Sequence, residues 1–367
     1  MIEFSGVYSG KRVLVTGNTG FKGSWLTSWL LAMGAEVHGL SNGKVTEPSM
    51  YDEAGLEGKL TQHWLDIRDR EAMTEIFKKV NPEIVFHLAA QAIVSKSYDD
   101  PVDTLSTNVM GSSHVLEALR GLEHLCVCVY ITSDKCYENV EWIWGYRETD
   151  RLGGKDVYSA SKGAAELVFH AFYHSFIKEQ HSLRIATARA GNVIGGGDWA
   201  ANRIVPDCFK AWSNGETVTL RSPKSTRPWQ HVLEPLSGYL RLGQALLESE
   251  GLKGESYNFG PFSHETQPVV ELVRDLEVPM MGESKPERIE VIEQNKFHEA
   301  GLLKLNCDKA LTDLAWRPVW NYDETVKLTG EWYARYQRGE KAESITMNQI
   351  AQYVSCAAER KICWVDS

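Results

Sequence analysis

The chain has 367 residues, of which 43% are hydrophobic and 24% are charged, an ordinary composition for a globular protein. This length exceeds what a single hydrophobic core usually serves, so we expect one large domain and a smaller lobe. A formal net charge of −10 disfavours nucleic acid as a partner, and no stretch approaches the roughly 18 apolar residues of a membrane span.

The seven cysteines show no C-x-x-C spacing, which is typical of reduced thiols in an intracellular protein rather than of a disulfide framework. Cys126 and Cys128 share one face of a strand-like run, which favours core packing over metal binding. The first residues lack the long apolar core of a signal peptide. We therefore expect a cytoplasmic protein without a metal site or a membrane partner.

The first half of the chain alternates short β-branched runs with longer amphipathic segments. Because continuous apolar strands alternate with helices, the pattern predicts an α/β fold whose doubly wound parallel sheet is covered on both faces, the Rossmann arrangement. The predicted strands are 12–16, 36–40, 83–89, 125–132 and 184–190, and the predicted helices are 20–34, about 104–120 and 158–176.

This regularity breaks after about Gly195, where Pro, Gly, Trp and Arg become prominent. Helical patterns recur near 200–214 and 233–250, whereas the tail after about Gly339 has no pattern that we can interpret. We expect residues 1–190 to form mainly the Rossmann domain. Residues 191–367 then form mainly a smaller, mixed α/β lobe, with returning segments that complete the Rossmann sheet.

The stretch VTGNTGFKG places Gly17, Gly20 and Gly23 directly after the first strand and at the start of the first helix. Backbone amides at a helix N-terminus, free of side-chain bulk, can approach a pyrophosphate closely. A tight turn is the alternative interpretation of a lone glycine triplet. The flanking strand and helix favour dinucleotide binding.

The acidic residue that usually binds the cofactor ribose about 20 residues further on is missing, because the sequence there is HGLSNGK. Ser41 can hydrogen-bond a ribose 2′-hydroxyl, whereas Lys44 can meet a 2′-phosphate. The residues alone therefore leave NAD and NADP open.

The stretch YSASK supplies Tyr158 and Lys162, which project from one face of a helix because they are four residues apart. A neighbouring ammonium favours the phenolate, so we expect the pKa of Tyr158 to move from about 10 toward neutrality. Tyrosine could then accept a hydroxyl proton as hydride leaves the carbon. A chance pair on a half-buried helix is the alternative.

These motifs resemble the extended short-chain dehydrogenase/reductase family, whose glycine spacing is G-x-x-G-x-x-G. In that family the strand before the YSASK helix ends with a hydroxyl residue that polarises the same substrate oxygen, and Ser133 occupies this place in VYITSDKCYEN. Asp134 and Lys135 are surplus to hydride transfer alone. They are either a surface ion pair of little worth or the acid and base that elimination of water requires.

A hydroxyl residue followed by aspartate is similar to the nucleotide-sugar 4,6-dehydratases, and lysine in third place resembles the CDP-glucose 4,6-dehydratases. Asn18 stands where histidine is expected. The resemblance covers nearly the whole chain, in the stretches TGNTGFKGSWL, HLAAQ, TSDKCYEN, YSASKGAAEL, ARAGNVIGGGDWAANRIVPD, LRSPKSTRPWQHVLEPLSGYL and YNFGP. It implies an NAD-dependent homodimer or homotetramer that converts CDP-glucose into CDP-4-keto-6-deoxyglucose, a deoxysugar precursor of lipopolysaccharide O-antigen.

The same resemblance implies three groups of site residues. The catalytic group is Ser133, Asp134, Lys135, Tyr158 and Lys162. The cofactor group is Gly17, Asn18, Gly20, Phe21, Gly23, Ser41, Asp66, Ile67, Ala89, Ala90, Gln91, Asn108, Tyr158 and Lys162. The substrate group is Asn192, Arg203, Arg221, Arg227 and His298.

Within the catalytic group, Asp134 is expected to protonate the departing 6-hydroxyl. Lys135 is either the base that removes the C5 proton or a residue that holds a water or orients Asp134. Two other functions remain open: a nucleotide-sugar 4-epimerase, which leaves Asp134 and Lys135 unexplained, and a non-catalytic dinucleotide-binding regulator, which leaves Tyr158 and Lys162 unexplained.

Overall fold

The computed structural model describes residues 2–220, 222–262, 265–292 and 301–366. Strands and helices alternate through its first half, as the sequence predicts. The strands are β1 (Ile2–Glu3), β2 (Arg12–Thr16), β3 (Glu36–Ser41), β4 (Thr61–Trp64), β5 (Ile84–His87), β6 (Cys126–Ile131), β7 (Leu183–Ala190), β8 (Val193–Ile194), β9 (Val218–Leu220), β10 (Thr226–Arg227), β11 (Gln230–His231), β12 (Ser256–Phe259), β13 (Gln267–Pro268), β14 (Ile289–Val291) and β15 (Val365–Asp366).

The helices differ from the predicted ones mainly at their ends. Two of the predicted helices contain a π-helical turn, at Ser106–Gly111 and at Tyr173–Ile177. The helices are α1 (Phe21–Ala32), α2 (Met50–Glu53), α3 (Arg70–Val80), α4 (Val94–Asp99), α5 (Pro101–Leu105), α6 (Ser112–Arg120), α7 (Val157–Phe172), α8 (Ile204–Ser213), α9 (Leu233–Glu248), α10 (Val269–Met281), α11 (Asp308–Leu314), α12 (Tyr322–Gln337) and α13 (Ala342–Glu359).

The central sheet has seven strands in the order β12-β7-β6-β5-β2-β3-β4, and every neighbouring pair is parallel. The chain runs outward from β2 through β3 to β4 and then returns to the other side of β2 with β5. This reversal is the topological switch point at which open α/β sheets bind ligands, beyond the carboxyl ends of the strands. The predicted doubly wound parallel sheet is confirmed.

Both faces of the sheet are buried, because successive residues of one strand enter different hydrophobic clusters. Val13 and Val15 of β2 join the cluster that contains Trp25 of α1, whereas Leu14 joins the cluster that contains Phe77 of α3. Alternate side chains of a strand point to opposite faces. Helices therefore cover the sheet on both sides, which explains why its strands read as continuous apolar runs.

The second half of the chain contributes β12 to the central sheet and also forms three separate pairs of short strands: β8 with β11, β9 with β14 and β10 with β13. One large hydrophobic cluster includes Val13 of β2, Leu236 of α9 and Trp332 of α12. The division into a domain of residues 1–190 and a lobe of residues 191–367 stays a prediction.

The tail after Gly339, which the sequence pattern did not resolve, forms α13 and β15. Strand β15 pairs antiparallel with β1, and the ring of Trp364 stacks on Phe4 with centroids 4.8 Å apart. Two polar residues interrupt the apolar face of α13: Thr346 accepts a hydrogen bond from Trp332 at 3.1 Å, and Gln349 donates to the Leu328 carbonyl at 2.7 Å. These buried polar positions hid the helical period.

Across the described ranges, none of the helices is both long enough and apolar enough to span a membrane.

Candidate active site

The glycine loop between β2 and α1 is packed so tightly that side chains are excluded from it. Gly17 has a φ of +74°, and a Cβ atom there would lie 2.8 Å from the Ala89 nitrogen. A Cβ atom on Gly23 would lie 2.1 Å from the Gly17 carbonyl oxygen. Helix α1 begins after Gly20 without a side-chain cap, so its first amides are free to bind an anionic group.

Neutral polar side chains occupy the end of β3, where a ribose-binding acid is usual. Ser41 Oγ donates to Asn18 Oδ1 at 3.1 Å, and Asn18 Nδ2 donates to Gln62 Oε1 at 2.7 Å. Lys44, the residue considered for a 2′-phosphate, instead donates to Asp52 Oδ1 at 2.6 Å. The end of β3 thus presents hydroxyl and amide groups, and Lys44 is engaged in an ion pair.

Asp66 and Ile67 follow β4 at the same edge of the sheet. Hydrogen bonds from the Arg68 side chain hold the pKa of Asp66 at about 2, and Asn42 Nδ2 also donates to this carboxylate, at 3.2 Å. Ile67 is buried against Gly111, where it fills the space that a Cβ atom would need. The two predicted cofactor residues therefore lie beside the ends of β3 and β4, with a charged and oriented carboxylate.

The loop after β5 is clamped to the helix that carries YSASK. Asn108, in the first π-helical turn, accepts from the Gln91 amide at 2.7 Å and donates to the Gln91 carbonyl at 3.1 Å. Its amide group also donates to Ser161 Oγ at 2.9 Å. Ala89 donates its amide to Thr16 Oγ1 at 3.2 Å, and Ala90 lines the main cavity.

The tripeptide Ser133-Asp134-Lys135 begins a single 3₁₀ turn directly after β6, and Ser133 is the N-cap of this turn. Ser133 Oγ accepts from the Lys135 amide at 3.3 Å and donates to Asp134 Oδ1 at 2.9 Å. Lys135 Nζ lies 3.4 Å from Asp134 Oδ2, and the Asp134 side chain is only 4% exposed against 26% for Lys135. Such burial argues against the alternative of a surface ion pair.

Tyr158 and Lys162 of α7 line a cavity of about 370 Å³ together with the tripeptide and the glycine loop. Burial, and to a lesser extent the Asp134 charge, raises the pKa of Tyr158 to about 12, although Arg203 and a hydrogen bond with Ser133 oppose the rise. Burial also lowers the pKa of Lys162 to about 8. The predicted fall in the Tyr158 pKa is therefore wrong for the chain by itself, because desolvation of the phenolate dominates.

A second cavity of about 390 Å³ shares Asn192, Arg203 and Lys135 with the first. Arg203 precedes α8 and donates to Asp198 Oδ2 at 2.9 Å. Arg227 lines the second cavity from β10. These positions place one guanidinium group on the wall that the two cavities share and a second one in the other cavity.

Two predicted substrate residues, Arg221 and His298, lie outside the described residues.

Lys22 is a site residue that sequence reasoning missed. It lines the main cavity between Phe21 and Gly23, and burial, with Lys162 and Arg203 nearby, lowers its pKa to about 8. A lysine in the first turn of a helix opposes the helix dipole. That unfavourable position, within an otherwise uncharged helix, is the signal that could have singled it out.

Comparisons with known proteins agree with this architecture. A family model described as GDP-mannose 4,6 dehydratase matches residues 14–329. A CDP-glucose 4,6-dehydratase from Salmonella typhimurium is 46% identical over 95% of this chain and 97% of its own length.

Two solved structures share the fold. A UDP-glucose 4-epimerase from Thermotoga maritima has a TM-score of 0.74 and 26% identity over 89% of this chain and 99% of its own. A dTDP-glucose 4,6-dehydratase from Streptomyces venezuelae with bound NAD has a TM-score of 0.75 and 23% identity, and the match covers 89% of this chain and 98% of that one. The family match and the 46% identical relative confirm the resemblance seen in the sequence, and this chain belongs to the GDP-mannose 4,6 dehydratase family of extended short-chain dehydrogenases/reductases.

Proposed function

We propose that this protein is an NAD-dependent lyase that converts CDP-glucose into CDP-4-keto-6-deoxyglucose. The observation that carries the proposal is the buried Asp134, which lies between Ser133 and Lys135 in the cavity that also contains Tyr158 and Lys162. In the proposed reaction, Asp134 supplies the acid beside the residues of hydride transfer. The Salmonella relative, at 46% identity, supports CDP-glucose as the substrate.

The residues around the glycine loop fit a dinucleotide. A Cβ atom at Gly17 or Gly23 would collide with backbone atoms. A side chain at either position would therefore distort the loop that receives the pyrophosphate. Free amides at the start of α1 suit the phosphates, and Ser41 suits a ribose hydroxyl. Bound NAD would accept a hydride from C4 of the sugar and return it to C6 within the same turnover.

Tyr158 takes the proton of the sugar 4-hydroxyl, and Ser133 hydrogen-bonds the same oxygen. The pKa of Tyr158, about 12 in the chain by itself, must fall for this step. A positive nicotinamide ring and the Lys162 ammonium would both favour the phenolate. Lys162, whose pKa is about 8, stays largely protonated near neutral pH.

Asp134 protonates the departing 6-hydroxyl after the 4-ketone has acidified the C5 proton. Its side chain is only 4% exposed, and a general acid must be held within hydrogen-bond reach of the group that it protonates. Lys135 lies 3.4 Å from Asp134 and is partly exposed, which suits either removal of the C5 proton or the orientation of Asp134. Both assignments remain part of the proposal.

The second cavity would hold the nucleoside diphosphate. Arg203 lines both cavities, and Arg227 lies in the outer one; guanidinium groups bind phosphate oxygens in bidentate fashion. Asn192 lies on the shared wall and can donate to the same group. The sugar would then reach Tyr158 while the base extends outward.

We place the reaction in the cytoplasm and assign the enzyme a homo-oligomeric state, either dimer or tetramer. All seven cysteines are free thiols, which suits a reducing compartment. Exposed apolar side chains on α5, the adjoining π-helical turn and α7 suit a contact between subunits.

The decisive experiment incubates the purified chain with NAD and with CDP-glucose or dTDP-glucose in separate reactions. We expect a 4-keto-6-deoxy product from CDP-glucose and no net accumulation of reduced cofactor, because the hydride returns within each turnover. A 4-epimer without a keto product would establish the epimerase alternative. Stoichiometric accumulation of NADH would exclude the closed hydride cycle.

A further inference from the structure

Below the catalytic tripeptide lies a buried ion pair that the proposed reaction does not use. Glu166 of α7 and Arg189 of β7 are 0% and 1% exposed in their side chains. Arg189 Nε donates to Glu166 Oε1 at 2.9 Å, and its Nη2 donates to Oε2 at 2.8 Å. A bidentate pair of this kind has a fixed geometry, so groups attached to it are held in place.

The pair contacts the residues on both sides of the tripeptide. Thr132, which directly precedes Ser133, donates its hydroxyl to Glu166 Oε1. The Tyr137 hydroxyl, two residues beyond Lys135, accepts from Arg189 Nη1 at 2.8 Å and donates to Asn258 Oδ1 at 2.8 Å. The 3₁₀ turn that aims Ser133 and Asp134 into the cavity therefore begins and ends on one buried ion pair.

Glu166 of this pair also lies on the helix that carries the redox residues. Tyr158, Lys162 and Glu166 follow one another at four-residue intervals along α7, so they lie on one helical face. Through Thr132, Glu166 thus joins the helix of the proton-accepting tyrosine to the turn of the proton-donating aspartate. Displacement of a reacting group by about 1 Å can cost about 10²-fold in rate, so this linkage bears directly on catalysis.

We infer that Glu166 and Arg189 are positioning residues that hold the Ser133-Asp134-Lys135 turn in register with Tyr158 through Thr132 and Tyr137. Neither residue touches substrate or cofactor in this assignment. The expected effect of this ion pair on catalysis rests on the proposed function.

Two further contacts of the ion pair supply matched controls. Thr187 Oγ1 donates to Glu166 Oε2 at 3.1 Å, and Arg189 Nη2 donates to Ser256 Oγ at 3.1 Å. Thr187 and Ser256 are both buried, and both lie in strands that do not carry the tripeptide. Removing their hydroxyl groups takes one hydrogen bond from the same pair without releasing the turn.

The experiment compares Thr132→Val and Tyr137→Phe with Thr187→Val and Ser256→Ala. Substitution of Glu166 or Arg189 themselves would leave a buried charge unpaired and could prevent folding, so the milder variants carry the test. We expect kcat to fall by about 10- to 100-fold in the first two variants with little change in KM. The two controls should keep kcat within about twofold, and Thr132→Ser, which retains the hydroxyl, should restore it.

A second readout does not depend on turnover. The amides of Cys136 and Tyr137 bond to the carbonyls of Ser133 and Asp134 at 3.1 and 3.3 Å within the turn. Thr132→Val and Tyr137→Phe should accelerate their hydrogen exchange, and the controls should not. Equal kinetics and equal exchange in all four variants, or losses confined to KM, would overturn the inference. Absence of product from the wild-type chain would instead refute the proposed function, and the exchange comparison would still decide the positioning role.

Discussion

In the proposed reaction, Asp134 takes part in the elimination of water but not in hydride transfer, so a substitution there should tell the two steps apart. The carboxylate accepts a hydrogen bond from Ser133 at 2.9 Å and is almost fully buried. Asparagine has the same shape and can still accept that hydrogen bond, but it cannot donate a carboxylic proton. A substitution at this position therefore isolates the acid function.

We expect Asp134→Asn to lower formation of the 4-keto-6-deoxy product by about 10²- to 10⁴-fold, while removal of hydride from C4 is less impaired. Single-turnover absorbance of the reduced cofactor measures the first step, and product analysis measures the whole reaction. Tyr158→Phe is the contrasting variant, since it should suppress both. Nearly normal product formation by Asp134→Asn would refute the assignment.

A variant at Lys135 tests which group removes the C5 proton in the proposed reaction. If Lys135 is the base, Lys135→Met should abolish exchange of the C5 proton with solvent deuterium, yet still allow a single-turnover reduction of NAD by CDP-glucose. Methionine keeps the length of the side chain and removes the amine. Mass spectrometry of recovered substrate measures the exchange. Exchange at the wild-type rate would exclude Lys135 as the base and leave it the role of orienting Asp134, 3.4 Å away.

At the scale of elements, the close contact between the glycine loop and α1 makes Gly23 intolerant of a side chain. Because a Cβ atom there would lie 2.1 Å from the Gly17 carbonyl, Gly23→Ala must displace the loop that receives the pyrophosphate. We expect at least about a tenfold loss of NAD affinity, measured by calorimetric titration. Gly121→Ala is the control, because the nearest atom to a Cβ atom there is 3.5 Å away. Equal NAD affinity in the two variants would contradict pyrophosphate binding by the glycine loop.

Glu234 joins α9 to the chain segment before α12 and to α13. Its carboxylate accepts from the Val319 and Trp320 amides at 2.9 and 2.7 Å and from the Tyr353 hydroxyl at 2.8 Å. Burial nevertheless raises its pKa from 4.5 to about 7. The folded state therefore binds this proton more tightly than the unfolded state does.

The sign of the resulting pH dependence follows from linkage. A raised folded-state pKa contributes stability that is complete below pH 4.5 and lost as pH rises toward about 7, and the loss amounts to at most about 3 kcal/mol. Between pH 4.5 and about 7, we expect the free energy of unfolding of Glu234→Gln to change less with pH than that of the wild type. Urea denaturation at several pH values measures this. An unchanged slope between wild type and variant would show that Glu234 does not titrate there.

At the scale of the whole molecule, apolar side chains are exposed on one group of neighbouring helices. Leu167 of α7 is 60% exposed, and Val102, Leu105, Met110 and Phe176 are also exposed. Helix α5 and the π-helical turn that follows it both pack against α7. A group of exposed apolar side chains of this kind is typical of a protein–protein contact.

We expect the chain to form a homo-oligomer through this surface, with a mass by light scattering well above the 41.3 kDa of one chain. Leu167→Glu should dissociate it, because a carboxylate buried in an apolar contact is strongly unfavourable. Leu311→Glu is the matched control, since Leu311 of α11 is 52% exposed and lies outside this group of helices. A monomeric wild-type chain, or equal masses for both variants, would reject the interface.

The sequence by itself determined the central sheet, the glycine loop and the order of the catalytic motifs. These features depend on local information: β-branched runs predict β2, β5 and β6, and the spacing of Tyr158 and Lys162 predicts one helical face. The family resemblance could also be read from short motifs. Prediction of secondary structure from the hydrophobic period failed where buried polar residues interrupt that period, as Thr346 and Gln349 do in α13.

Only the tertiary structure decided the electrostatics of the site. The sequence placed a lysine four residues after Tyr158 and predicted a lowered pKa, but burial proved the larger effect and raised the pKa to about 12. Tertiary contacts also brought Lys22 into the cavity and joined Thr132, Glu166 and Arg189 below the tripeptide. Burial and long-range contacts depend on which surfaces the folded chain removes from water, and no local pattern of residues encodes that.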